Sequence, residues 1–167
     1  MIKGFVLLLA LAGSAACQSG ASKLDLPPGK LELVAAPAVH DVAPLIAKEA
    51  ARAAHDHKKL LVYLGATWCE PCVKFHEAAA AGLLDQAFGD VRMLVFDADR
   101  DSDALERAGY KYTLVPLFAL PGPDGRSTGR QIEGSVKGAH YVEEISPRLR
   151  GLIDAPSSPR AAGGSAG

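Results

Sequence analysis

The stretch Leu60-Leu61-Val62-Tyr63-Leu64-Gly65-Ala66-Thr67-Trp68-Cys69-Glu70-Pro71-Cys72 runs from five apolar residues into two cysteines separated by two positions. The apolar run suits a strand buried on both faces. Gly65-Ala66-Thr67 leaves that strand, and a helix is expected to begin near Cys69 and to run to about residue 81. Residues three apart share a helix face, so the two sulfurs can meet in a small disulfide ring. The first turn presents unpaired N–H groups and the positive end of the helix dipole. A thiolate at Cys69 gains about 0.3–1 kcal/mol there, and up to ~2 kcal/mol in favourable geometry. At roughly 1.36 kcal/mol per pKa unit, a thiol that starts near ~8.5 becomes partly ionised at neutral pH. Cys72 has no such advantage. Cys69 is therefore the expected attacking sulfur and Cys72 the one that resolves the mixed disulfide. Pro71 falls in the first turn, where its missing N–H costs little. Glu70 sets a negative charge beside Cys69, which opposes the thiolate and biases the pair toward a reductant.

Upstream, Asp41 is a candidate helix cap, with Pro44 tolerated in the first turn. Val42, Leu45, Ile46, Ala50, Ala53 and Ala54 then recur at helical spacing. Downstream, 91–96 reads as a strand. Asp97 and Asp99 read as turn and cap residues, and 102–108 as a short helix. Residues 114–120 form a third strand, entered through Val115-Pro116. Pro121-Gly122-Pro123-Asp124-Gly125 is a turn. Residues 130–133 can pair back, and 136–149 can form a last helix that Pro147 threatens to shorten. The order α-β-α-β-α-β-β-α gives an α/β fold with a central mixed sheet flanked by helices on both faces.

The chain of 167 residues suggests one domain, and hydrophobic and charged shares of 49% and 22% fit a globular one. The formal net charge is −1 and no basic run exceeds Lys58-Lys59, which argues against nucleic acid as a partner. Residues 1–16 have the form of a signal peptide: Lys3, the apolar run 5–12, then Gly13-Ser14-Ala15-Ala16. Cys17 behind small residues resembles a bacterial lipoprotein signal, in which that cysteine carries the lipid. Ser14 stands where that pattern usually has Leu, and Ser14-x-Ala16 also suits ordinary cleavage after Ala16. Gln18 in place of Asp implies transport to the outer membrane of a Gram-negative bacterium. Residues 17–38 read as a tether, 39–153 as the folded domain and 154–167 as a disordered tail.

Trp68-Cys69-x-Pro71-Cys72 after an apolar strand, Val115-Pro116 downstream and Gly134 before the last helix together resemble the thioredoxin superfamily over about residues 45–150. The resemblance implies the thioredoxin fold. It also implies a cis bond before Pro116 facing the cysteines, and backbone beside Val115 open to strand addition by a client. The activity it implies is thiol–disulfide exchange without cofactor or metal. Client protein thiols or disulfides and a membrane or periplasmic electron donor would be the partners. Three positions depart from the pattern: Tyr63 replaces a buried Asp, Val95 a Lys, and Glu77 stands near the place of a helix-kinking proline. The Glu-Pro insert and export signal resemble extracytoplasmic reductants, such as those of cytochrome c maturation or of periplasmic disulfide reduction.

Each residue also has a plainer reading. Trp68 can be a core aromatic rather than a shield for the thiols, and Tyr63 suits core packing more than a proton relay. His76, one turn after Cys72, opens a different function: Cys69, Cys72 and His76 as soft ligands for copper. A redox-silent docking module is a third reading, against which the intact cysteine pair argues.

Overall fold

The computed structural model describes residues 29–134, 138 and 140–156. Five strands form one mixed sheet: β1 (Glu32–Ala35), β2 (Lys59–Gly65), β3 (Val91–Asp97), β4 (Leu117–Pro121) and β5 (Ser127–Glu133). Their order across the sheet is β1-β3-β2-β4-β5. The first three are parallel, β4 runs antiparallel to β2, and β5 antiparallel to β4. Five helices complete the chain: α1 (Ala43–His55), α2 (Glu70–Ala80), α3 (Asp85–Phe88), α4 (Ala98–Arg107) and α5 (Tyr141–Asp154).

The central strand β2 decides how these pieces assemble. Residues 60–64 are all buried, and alternate side chains point to opposite faces. Leu60, Val62 and Leu64 pack in a core with α1 and α4, whose buried residues include Ile46, Ala53, Ala104 and Leu105. Leu61 and Tyr63 pack in a second core with Phe75 of α2, Phe88 of α3 and Tyr141, Ile145 and Leu149 of α5. Helices thus cover both faces, which is why the strand reads as continuously apolar.

Residues 17–38 were expected to be tether, yet 32–35 form β1. Four residues are too few to announce a strand, and the parallel ladder with β3 holds this one in place. Its Glu32 carboxylate pairs with Lys58 at 2.8 Å and Arg92 at 2.7 Å, while the Leu31 N–H donates to Asp85 at 3.1 Å. The folded unit therefore starts before residue 39. On α1, Ala54 is exposed and Glu49 is buried instead, bonded to Arg52 at 2.9 Å. The first strand of the closing hairpin begins at Leu117 rather than 114, because residues 112–115 form a loop.

The last helix starts at Tyr141 and runs through Pro147 to Asp154. Pro147 does not shorten it: the residue lies on the exposed face, where the carbonyl it cannot serve meets solvent. Asp154, assigned to the tail, closes the helix and bonds Lys59 at 3.1 Å and Arg150 at 2.7 Å. Residues 1–28, with the signal peptide and Cys17, and most of the tail lie outside the described residues. Among the described residues no helix is long and apolar enough to cross a membrane.

Candidate redox site

Cys69 caps α2. Its backbone is extended (φ −88°, ψ 106°), and its carbonyl accepts the first helical bond from the Val73 N–H at 3.0 Å. Its Sγ accepts the Cys72 N–H at 3.3 Å, so an otherwise unpaired donor of the first turn points at this sulfur. Cys69 and Cys72 are joined in a disulfide, with their Cα atoms 5.2 Å apart. Cys72 is the deeper of the two, 1% exposed against 6% for Cys69. Pro71 lies buried in the first turn, and Glu70 points outward and pairs with Lys74 at 2.8 Å.

Trp68 is not a core residue. It is 67% exposed, and its indole N–H donates to both Asp99 carboxylate oxygens, at 3.1 and 3.0 Å. Asp99 stands in the first turn of α4, which Asp97 caps by accepting the Asp99 N–H at 2.8 Å. The reading of Asp97 as a cap therefore holds, while Asp99 steers the tryptophan.

The Val115–Pro116 peptide bond is cis. Pro116 is buried and Val115 half-buried. The Pro116 carbonyl accepts the Gly134 N–H at 2.7 Å, and a Cβ at Gly134 would fall 2.8 Å from Pro116 Cγ and 2.6 Å from the Tyr141 hydroxyl. That crowding is why glycine precedes the last helix. The loop leading to Pro116 is tied from below: one Glu133 carboxylate oxygen accepts from the N–H groups of Thr113 (3.2 Å) and Leu114 (2.8 Å) and from the Thr113 hydroxyl (2.9 Å). The Tyr112 hydroxyl donates to Ser102 at 2.7 Å. Together these parts enclose a cleft of about 640 Å³ whose walls include Trp68, Cys69, Glu70, Asp99, Leu114 and Val115. The parts that Glu133, Asp99 and Tyr112 play at the site escaped the sequence reading, since nothing in their local sequence names their partners.

Tyr63 is buried in β2, among the residues of the second core. Its ring stacks on Phe75 at 5.8 Å and meets His76 edge-on at 5.2 Å. Its hydroxyl lies over Gly65 and has no hydrogen-bond partner among the described residues, and the Tyr141 hydroxyl is in the same condition. Burial, with Tyr141 nearby, pushes the Tyr63 phenol far above its usual range, so it stays protonated. This fits the packing reading, since a phenol so held cannot serve as a base. Burial also lowers the His76 pKa. Among the described residues no three His, Cys, Asp or Glu side chains gather as a metal site would require, so nothing in the geometry favours the copper reading.

No protein-family model and no curated protein matches the chain. Several solved structures do. One comes from a study of the thiol resolving mechanism in yeast mitochondrial 1-Cys peroxiredoxin via glutathione/thioredoxin systems: 25% identity, TM-score 0.47, covering 72% of this chain and 92% of that one. Thioredoxin O1 from Arabidopsis thaliana in its oxidized state matches at 19% identity and TM-score 0.47, over 74% of this chain and 99% of its own. A poplar thioredoxin h matches at 19% identity and TM-score 0.44, over 77% and 100%. The strand order, the helices on both faces, the disulfide at the start of α2 and the cis-proline before β4 are those of the thioredoxin fold, and this chain has it.

Proposed function

We propose that the protein is a thiol–disulfide oxidoreductase that reduces disulfides of exported client proteins through Cys69 and Cys72. The observation that carries this reading is the disulfide itself, set at a helix N-terminus with Cys69 Sγ accepting a first-turn N–H. In the dithiol form the same N–H and the helix dipole favour a thiolate at Cys69. That thiolate attacks one client sulfur. The client disulfide breaks, its leaving thiolate takes up a proton, and a mixed disulfide forms. Cys72, buried beside it, loses its proton and attacks Cys69 Sγ. The mixed disulfide breaks, the second client thiol is released, and the protein disulfide closes. Two electrons have then passed to the client, and a donor dithiol must return them.

Val115, in the cleft wall next to the cis-proline, offers the backbone along which an extended client segment would lie, and Trp68 borders the same cleft. The export signal and Cys17 extend the proposal to a lipid-anchored protein of the cell envelope, facing oxidised clients where disulfides persist.

Turbidity from insulin reduction, driven by dithiothreitol, tests the exchange activity. Wild type accelerates it and Cys69→Ser does not; equal rates would remove the reading. The direction of flux is tested by the reduction potential. A value near about −270 mV supports a reductant, and one near about −120 mV reverses the assignment. Labelled palmitate should enter the full-length chain and not Cys17→Ser.

A further inference from the structure

Among the described residues the walls of the redox cleft carry charge of one sign. Glu70 and Asp99 line it, and none of its described lining residues is basic. The two carboxylates are not equivalent. Lys74 reaches Glu70 at 2.8 Å and balances it from one turn down the helix. Asp99 is exposed, and its carboxylate partner among the described residues is the neutral indole N–H of Trp68. A third carboxylate, Glu133, stands under the loop at 113–114 and is held there by neutral donors, two backbone N–H groups and a hydroxyl. Beside Asp99 the Trp68 ring is exposed, and its face can take a guanidinium or ammonium group. An anion and an aromatic face side by side, next to the attacking sulfur, form a receptor for a cationic side chain.

We infer that the cleft selects client disulfides flanked by arginine or lysine, with Asp99 as the specificity-determining residue. This rests on the exchange reading and names the substrate class for it. The basic side chain lies along Trp68 and pairs with Asp99, which holds the client sulfur near Cys69. An acidic neighbour at the same place meets Asp99 and is turned away. Discrimination of this kind acts mainly on the encounter rate and weakens as salt rises.

The test uses the reduced protein and three peptides, identical except for Arg, Gln or Glu on both sides of one intrachain disulfide. Reduction is followed under single turnover through Trp68, the chain's one tryptophan. A charged neighbour also alters the peptide's own leaving thiol. Each rate is therefore divided by that peptide's rate with 2-mercaptoethanol, a neutral thiol. The normalised order expected at low salt is Arg, then Gln, then Glu, with about tenfold between the extremes. At about 0.5 M salt the spread should shrink to about twofold. Asp99→Asn keeps an oxygen for the indole N–H and removes the charge, so it should at least halve the Arg-to-Glu ratio. Equal normalised rates, or a ratio that Asp99→Asn leaves unchanged, would overturn the inference while leaving the exchange reading intact. Reduction of none of the three peptides would remove both.

Discussion

Tyr63 puts a hydroxyl in the core that has no hydrogen-bond partner among the described residues. A buried hydroxyl without a partner pays its desolvation in full, about 1–3 kcal/mol. The ring meanwhile contributes stacking and edge contacts with Phe75, His76 and Phe118 that a phenylalanine would retain. Tyr63→Phe should therefore stabilise the oxidised protein, by about 1 kcal/mol in urea unfolding. A loss of stability would mean that the hydroxyl is satisfied after all. Glu70 gives a second test at this scale. Its removal takes a negative charge from beside Cys69 and leaves Lys74 without that counter-charge, and both changes favour the thiolate. Thiolate absorbance against pH should show a lower Cys69 pKa in Glu70→Ala, by a fraction of a unit because the pair is exposed to solvent. An unchanged titration would remove Glu70 from the tuning of the site. Both cysteines and Trp68 were legible in the sequence because they fall within five residues and their chemistry is local. Asp99 lies 31 positions from Trp68 and Glu133 lies 19 from Leu114, and only the folded sheet brings each pair together.

Between elements, the contact that most directly builds the site is the one between the start of β4 and the turn into α5. Gly134 donates to the Pro116 carbonyl while its missing side chain makes room for the Pro116 ring and the Tyr141 hydroxyl. Both neighbours are buried: Pro116 has a rigid ring, and Tyr141 is fixed in the second core. Neither can withdraw without moving its own element. Gly134→Ala should thus cost about 1–3 kcal/mol in stability, the usual range for overpacking. It should also slow insulin reduction under conditions where the variant remains folded, because Pro116, next to Val115 of the cleft wall, is displaced. A variant as stable and as active as wild type would show that the contact tolerates a methyl group. The sequence made Gly134 visible only through family resemblance, since the crowding comes from residues 18 positions before it and 7 after. The strands β2 and β3 were legible because burial on both faces leaves an apolar run, unbroken over 60–64 and interrupted only by Arg92 over 91–96. β1 was not, because it is short, lies at the sheet edge, and depends on β3 and on Lys58 and Arg92 for its place.

The two cores on opposite faces of one sheet give the whole molecule a stepwise response to acid. His76 sits half-buried against Tyr63 on the α2 face, and burial lowers its pKa below the ordinary value of about 6.5. The unfolded chain therefore binds a proton at this residue before the folded one does. Stability is complete above about pH 6.5 and falls as the pH drops through the window below it, down to the folded pKa. A second group of sites responds lower. Hydrogen bonds from Lys58 and Arg92 lower the Glu32 pKa, those from Arg150 lower Asp90, and those from Arg150 and Lys59 lower Asp154. Burial raises the Asp101 pKa, but Arg100 and the Asp97 N–H outweigh it. These carboxylates stabilise the fold above about pH 4 and lose that contribution as the pH falls further. Glu32 joins β1 to β3, Asp154 joins α5 to β2, and Asp90 joins the segment before β3 to α5, so their protonation loosens the sheet edge and the α5 face. Urea midpoints measured from pH 7.5 to 3 should accordingly fall in two steps. In His76→Gln the first step, between about pH 6.5 and 5, should flatten while the second remains. The same slope in both proteins across that first window would show that His76 is solvated in the folded state.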